Sequence, residues 1–330
     1  MLFRSRNNVA PRVGATWAVT PNMLVRGGYG LFYDSSMLVV NTSQYFNPPQ
    51  FNLRIFFPSA QGLLTLADPF PLGRGITPPA TVSALDANLH AGSMQHWNVA
   101  VQRTVRGLGS VTAAYAGSKG SSLIRSRDLN QPTPGPGDVQ GRRPYPAFSN
   151  IFFTSSDGRS RYDALQLSLD RPLMRHVAFS SSYTLSSSKD DTSAFLGTPT
   201  DKNFPQNSRR PDLEWAASSY DTRHRLTMSY IVELPEGNAV TRHMQVEGIT
   251  MVRSGQPFTP LLRFDNSNTG NTGGATAGSD RPNVSGDVAL DNPTADRWFN
   301  TSAFSVPAPF TFGNAGRNRD RKSTRLNSSH

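Results

Sequence analysis

Tyr162-Asp163-Ala164-Leu165-Gln166-Leu167-Ser168-Leu169-Asp170-Arg171 sets three leucines on one parity and Gln166, Ser168 and Asp170 on the other. Apolar residues at every second position predict a β-strand with one face withdrawn from water. Pro172 to Arg175 reads as a turn, and the alternation resumes in His176 to Leu185. There Val177, Phe179, Tyr183 and Leu185 oppose Ala178, Ser180, Ser182 and Thr184. Two such runs joined by a short turn predict an antiparallel hairpin.

The same unit recurs on both sides. Ala10 to Val19 and Met23 to Tyr33 flank Thr20-Pro21-Asn22, where Pro21 fixes φ and Asn22 tolerates turn geometry. Val25, Tyr29 and Leu31 share one face of the second run, opposite Arg26. Met94 to Val105 carries Trp97, Val99 and Val101 on one face and turns through Arg106-Gly107-Leu108-Gly109. Ser110 to Ser118 follows with Val111, Ala113 and Tyr115. Thr222 to Leu234 alternates Leu226, Met228, Tyr230, Val232 and Leu234 with polar residues. Pro235 to His243 reads as a turn before Met244 to Arg253.

The connections are unequal. Within pairs they are short; between pairs they cover 34–93, 119–161 and 186–221. Loops beyond about 15 residues are uncommon in compact domains. Long loops at every second connection, with strands of about ten residues, are the pattern of an antiparallel transmembrane β-barrel: short periplasmic turns and long extracellular loops. Barrel closure pairs every backbone group that meets lipid. The competing reading is a soluble β-sandwich, whose strands are shorter and whose loops are short at both ends. It requires the leucine face to be covered by a second sheet.

Composition is compatible with the barrel. Hydrophobic residues are 36% and charged residues 17% of 330, with mean hydropathy −0.44. Strands that show lipid one side chain and water the next lower this average without leaving the membrane. The longest apolar runs, such as Met37 to Val40 and Ala113 to Ala116, are far short of the roughly 20 residues of a spanning helix. Met1-Leu2-Phe3-Arg4 leads into polar sequence without the apolar core of a signal peptide. With no cysteine there is neither a disulfide framework nor a thiolate site.

A series of ordered motifs carries a family resemblance. Asn8-Val9-Ala10-Pro11-Arg12-Val13-Gly14-Ala15-Thr16-Trp17 and Val25-Arg26-Gly27-Gly28-Tyr29-Gly30-Leu31-Phe32-Tyr33-Asp34 come first. Gln95-His96-Trp97-Asn98-Val99-Ala100-Val101-Gln102-Arg103, Ala114-Tyr115-Ala116-Gly117-Ser118-Lys119-Gly120 and Tyr162-Asp163-Ala164-Leu165-Gln166 follow. Ser182-Tyr183-Thr184-Leu185 through Asp191, Tyr220-Asp221-Thr222-Arg223-His224-Arg225 and Ser254-Gly255-Gln256-Pro257-Phe258 come next. Trp298-Phe299-Asn300 and Phe312-Gly313-Asn314-Ala315-Gly316-Arg317-Asn318 close the series. Together they resemble the barrel region of Oar-like TonB-dependent outer-membrane receptors of the acidobacterial type, many of which carry a carboxypeptidase regulatory-like domain. Leu185 departs from the tryptophan common there.

The resemblance implies an outer-membrane location and import of a large, scarce substrate. The substrate class stays open among sugar polymers, peptides and metal chelates. Outer-membrane lipid is the expected partner, and nucleic acid is not. Contact with the TonB–ExbB–ExbD system would run through an N-terminal plug and TonB box. Neither is legible here, nor is the family's β-sandwich extension. Eight to ten strands are expected, against about 22 in a complete barrel, so residues 1–319 read as an internal barrel portion. Arg321-Lys322-Ser323-Thr324-Arg325-Leu326-Asn327-Ser328-Ser329-His330 resembles translated sequencing-adaptor sequence, and 320–330 is read as such a tail. Without its three cations and one anion the net charge falls from +10 to +8. A passive porin-like or adhesin-type surface barrel is the alternative function, and a secreted carbohydrate-binding sandwich a further one.

No catalytic, cofactor-binding or metal-binding residue is assigned, and no enzyme is expected. His224 sits at a strand start and reads as structural. Neither His90/His96 nor His224/His243 has metal-ligand spacing. Asp190-Asp191 reads as a solvated loop start. Asp265-Asn266-Ser267-Asn268 through Asp280 reads as a mobile extracellular loop that lacks EF-hand spacing. Gly27-Gly28-Tyr29-Gly30 lacks the spacing and following helix of a dinucleotide site. Trp17, Tyr29, Tyr115, Tyr183 and Tyr230 are expected at the lipid face or its interfacial girdles. Tyr45, Phe46, Phe51, Phe56, Phe57, Phe152, Phe153, Phe195 and Phe204 are expected to pack the loops.

Overall fold

The computed structural model describes residues 8–34, 43–56, 67–70, 77–174, 176–193, 204–234, 244–273, 277–278, 280–292, 294, 297–321 and 325–329. The turn at 235–243 with His243, and Phe57 and Phe195, lie outside them.

All eight expected strands are present. They are β1 (Arg12–Thr20), β2 (Met23–Tyr33), β4 (Ser93–Val105), β5 (Gly109–Asp128), β6 (Phe148–Met174), β7 (Val177–Asp190), β9 (His224–Glu233) and β10 (Gln245–Arg253). Two additions, β3 (Ala80–Leu85) and β8 (Ala216–Ala217), attach to β6 and β7. The sheet runs β1-β2-β4-β5-β6-β7-β9-β10 and ends on residues 325–329, which pair antiparallel with β10 from Ile249 to Arg253. It is open between its two ends. Among the described residues, helix is confined to short 3-10 turns such as Pro211–Glu214.

The register assembles the alternating residues of separate strands into one face. Trp17 faces Val25, which faces Val101, which faces Ala113. Ala113 faces Leu167, which faces Tyr183, which faces Leu226, which faces Val252. One step along the strands, Thr16, Arg26, Ala100, Ala114, Gln166, Thr184 and Arg225 form a row on the opposite side. A single slip would exchange the two faces, so this alternation fixes the register.

The apolar face is uncovered. Leu165 and Leu167 are each 43% exposed, Val99 is 47% and Trp17 is 66% exposed. A soluble sandwich would bury these residues under a second sheet, so that reading falls. A continuous apolar surface of this extent needs another cover, and lipid supplies it.

Two long connections differ from expectation. The interval 119–161 is largely strand: β5 runs on to Asp128 and β6 begins at Phe148, so both project past the point where the apolar alternation stops. Outside lipid, nothing requires an apolar face there. The interval 34–93 contributes β3, which lies parallel to β6 along 148–154. Above Ser160, where pairing with β7 ends, β6 would otherwise offer a free edge; β3 covers it.

Candidate functional site

Two polar surfaces meet at this wall. One is the face opposite the leucines. There Arg26 donates to Gln102, Gln102 donates to Ser110 Oγ at 2.7 Å, and Ser180 Oγ donates to Asp170 at 2.6 Å. Ser110 and Asp170 are direct cross-strand neighbours, so the ladder crosses from β2 to β7. It lies at the short-turn end and borders a concavity of about 1110 Å³, lined in part by Ser110, Asp170, Ser180, Ser229 and Glu247. Hydroxyls, amides and carboxylates on this surface can exchange hydrogen bonds with a polar solute.

The second surface is a crown at the long-loop end, built on the projecting arms of β5 and β6. Its interior is mostly polar. Fully buried Arg281, Arg317, Gln131, Glu214, Asn130 and Asp190 accompany the apolar Phe204. Burial of a charge is tolerable only where pairing and hydrogen bonds replace water, and each buried charge named below has such partners, although Arg143 Nε and Arg281 Nε are left without one. Arg317, far along the chain, donates to the Asp190 carboxylate at the end of β7, to Ser193 Oγ at 2.8 Å and to the Glu214 carbonyl at 3.2 Å. Arg281 pairs with Glu214 at 2.5 Å. Arg125 of β5 meets Asp157 at 2.6 Å and Asp191 at 3.3 Å.

Amide groups continue the network. Gln131 donates to the Gln206 carbonyl at 2.8 Å and to Asn271 at 3.0 Å, and accepts from the Ser208 amide at 2.8 Å. The Asp128 carboxylate accepts from the amides of Asn130 (2.9 Å) and Ile151 (3.0 Å), closing the arm loop.

Asp190 and Asp191 are therefore not a solvated loop start. They are 1% and 2% exposed, and arginines brought from β5, β6 and the C-terminal region neutralise them. Asp265 to Asn271 and Asp280 are likewise packed rather than part of a loose loop. Asp265 accepts from the amides of Thr269 and Gly270, and Asp280 from Ser267 and Asn271. Burial raises the Asp280 pKa, against those hydrogen bonds. At Asp157 burial also acts upward, but the bonds from Arg125 and Ser155 prevail and its pKa is lowered.

The remaining sequence candidates find ordinary partners. His224 meets Tyr183 Oη through Nδ1 at 2.8 Å at the start of β9, a structural contact. His90 ties the first long connection to the arms, with Nε2 3.0 Å from Ser122 Oγ and Nδ1 3.1 Å from Ser156 Oγ. Among the described residues no three metal-ligating side chains converge. Phe46 meets Phe51, Phe56 meets Phe70 and Phe152 meets Phe204 edge to face, and of these Phe152–Phe204 is the packing expected inside the loops, while Tyr45, Phe46 and Phe51 are exposed. Trp17, Tyr29, Tyr115, Tyr183 and Tyr230 all fall on the apolar face. Sequence reasoning missed the roles of Arg125, Glu214, Arg281 and Arg317. The motifs ending in Asp190-Asp191 and in Arg317-Asn318 were the signals near them.

Comparison with known proteins agrees with this architecture. The family described as Outer membrane beta barrel domain matches residues 2–328. No curated protein matches. Among solved structures, the outer membrane transporter YddB from Escherichia coli superposes with a TM-score of 0.51 at 11% identity, over 79% of this chain and 30% of that one. A mutant of the ferric enterobactin receptor PfeA from Pseudomonas aeruginosa gives 0.43 at 13% identity, over 75% and 28%. The FrpB iron transporter from Neisseria meningitidis gives 0.41 at 9% identity, over 76% and 27%. The chain thus spans about 30% of the length of these transporters. With one face made for lipid, the other for water, and a family match from end to end of the sheet, the chain belongs to the outer membrane beta barrel domain family and resides in the cell outer membrane.

Proposed function

We propose that the chain forms wall and extracellular crown of a TonB-dependent transporter that imports a large, scarce substrate. The observation that carries this reading is the asymmetry of the two ends: tight turns at one, and at the other a densely hydrogen-bonded crown standing on strand arms. The shared fold with the transporter YddB supports it. By family resemblance, coupling to TonB–ExbB–ExbD runs through a plug and a TonB box. On this reading residues 1–319 are the barrel portion and 320–330 derive from a sequencing adaptor, which resequencing the 3′ end of the gene tests.

The functional test is uptake in the native host, offered iron chelates, sugar polymers and peptides in turn. Deleting the gene should abolish accumulation of one class, and deleting tonB should abolish the same one. Accumulation that survives loss of tonB but not of the gene overturns active transport and favours the porin-like alternative.

A further inference from the structure

Three cations stand side by side on the lipid-facing side of the wall. Lys119 of β5 is the direct cross-strand neighbour of Arg161 in β6, and Arg161 that of Lys189 in β7. All three are exposed. Like charges directly opposed across a sheet destabilise it, so the row needs an anion. Asp163 supplies one locally, bonded to Arg161 at 2.7 and 2.8 Å. Among the described residues neither Lys119 nor Lys189 has an ion-pair partner.

The position of the row identifies the missing anion. From Gly109 at the short turn to Lys119 is ten residues, roughly 33 Å along a strand. At a tilt of about 45° this is a height of about 24 Å, the apolar band of an outer-membrane barrel. The cations therefore lie at the membrane–water boundary away from the short turns. Below them on the same face, the Trp97 ring lies against Gly117 and carries the Arg161 guanidinium at 5.0 Å. Further down, a groove of about 220 Å³ is bordered by Tyr115, Leu165, Leu185 and a fourth cation, Arg223, with Asp163, the partner of Arg161, at its border.

We infer that Lys119, Arg161 and Lys189 bind the phosphate headgroup of an outer-leaflet glycolipid, with an acyl chain along the Tyr115–Leu165–Leu185 groove. A cation row above an apolar groove matches an amphiphile with an anionic head. Trp97 and Asp163 hold Arg161 in place, so less ordering is required on binding. The inference rests on the membrane location and is independent of the transport reading.

The test titrates the full chain in detergent with lipid A carrying both phosphates, read by native mass spectrometry. Saturable binding is expected. A basic residue beside an anionic membrane surface gains enough affinity for about a fivefold loss per cation removed. Lys119→Gln with Lys189→Gln should weaken binding roughly 25-fold, and adding Arg161→Gln roughly 100-fold. The double variant spares the Arg161–Asp163 and Trp97 contacts, and heat-modifiable migration in gels verifies that each variant is folded. Lipid A stripped of phosphate should bind as weakly as the triple variant sees the intact lipid. Unchanged affinity in the folded double variant, or equal binding of stripped lipid, overturns the inference. Displacement of lipid A by millimolar inorganic phosphate would instead make this a free-anion site.

Discussion

Arg317→Met removes the guanidinium that joins the C-terminal region to the end of β7. The arginine is 1% exposed, and so is the Asp190 carboxylate it neutralises. Without it, Asp190 keeps the Ser193 hydroxyl at 2.9 Å but loses its charge partner inside the crown. Breaking one side of a buried ion pair costs about 3–5 kcal/mol. A charge-free replacement of both sides often costs little, because neither ion then needs desolvation. Arg317→Met combined with Asp190→Leu should therefore recover most of the loss. Amide hydrogen exchange is the assay, comparing residues 204–221 and 257–318 with β4–β7. The single variant should speed crown exchange by about 10²–10⁴-fold while the wall is unchanged. A single variant within about 1 kcal/mol of the parent, or a double variant worse than the single, would refute the ion-pair account.

Other predictions concern the two faces, the crown's titration and one glycine. Leu165→Asp with Leu167→Asp places charges on the lipid face, each costing somewhat less than the about 2–4 kcal/mol of an Arg or Lys near the midplane, and the pair should abolish the heat-modifiable band. Gln166→Asp with Ser168→Asp, on the polar face, should retain it. The lowered pKa of Asp157 gives stability that is full above the ordinary carboxylate value of 3.8 and is lost as pH falls through its folded pKa. The raised pKa of Asp280 acts oppositely, adding crown stability as pH falls through its folded pKa towards 3.8. Crown protection should accordingly peak near the ordinary carboxylate range, with Asp157→Asn flattening the acid limb and Asp280→Asn the other; identical profiles in both variants would contradict this. Gly117→Ala would set a Cβ 2.4 Å from the Trp97 ring, so the indole must move; a shift in tryptophan fluorescence with retained folding is expected.

The wall was legible because lipid and water impose a period of two on every strand between them. Leu165, Leu167 and Leu169 announced a face before any partner strand was known. The arms of β5 and β6 were not, since beyond Gly120 water and other protein replace lipid and the alternation lapses. β3 was hidden for a related reason: Ala80–Leu85 is a short strand that takes its pairing from β6 alone. The crown was illegible because its pairs join distant positions, such as Arg317 with Asp190 and Arg281 with Glu214, and no local spacing marks them. Asp190-Asp191 looked solvated for want of those arginines. Lys119, Arg161 and Lys189 were visible singly, but only the register makes them a row.

The parallel strand β3 also imposes an order of assembly. Its partner stretch in β6 follows it by about seventy residues, Leu85 pairing with Thr154. The hairpins of the wall close on neighbours in sequence and can form as they enter the membrane, whereas this contact carries a long loop-closure cost. The first long connection must wait until the β5–β6 arms stand. A chain stalled before that step would display a bare strand edge on the cell surface, where it could capture a strand from another molecule.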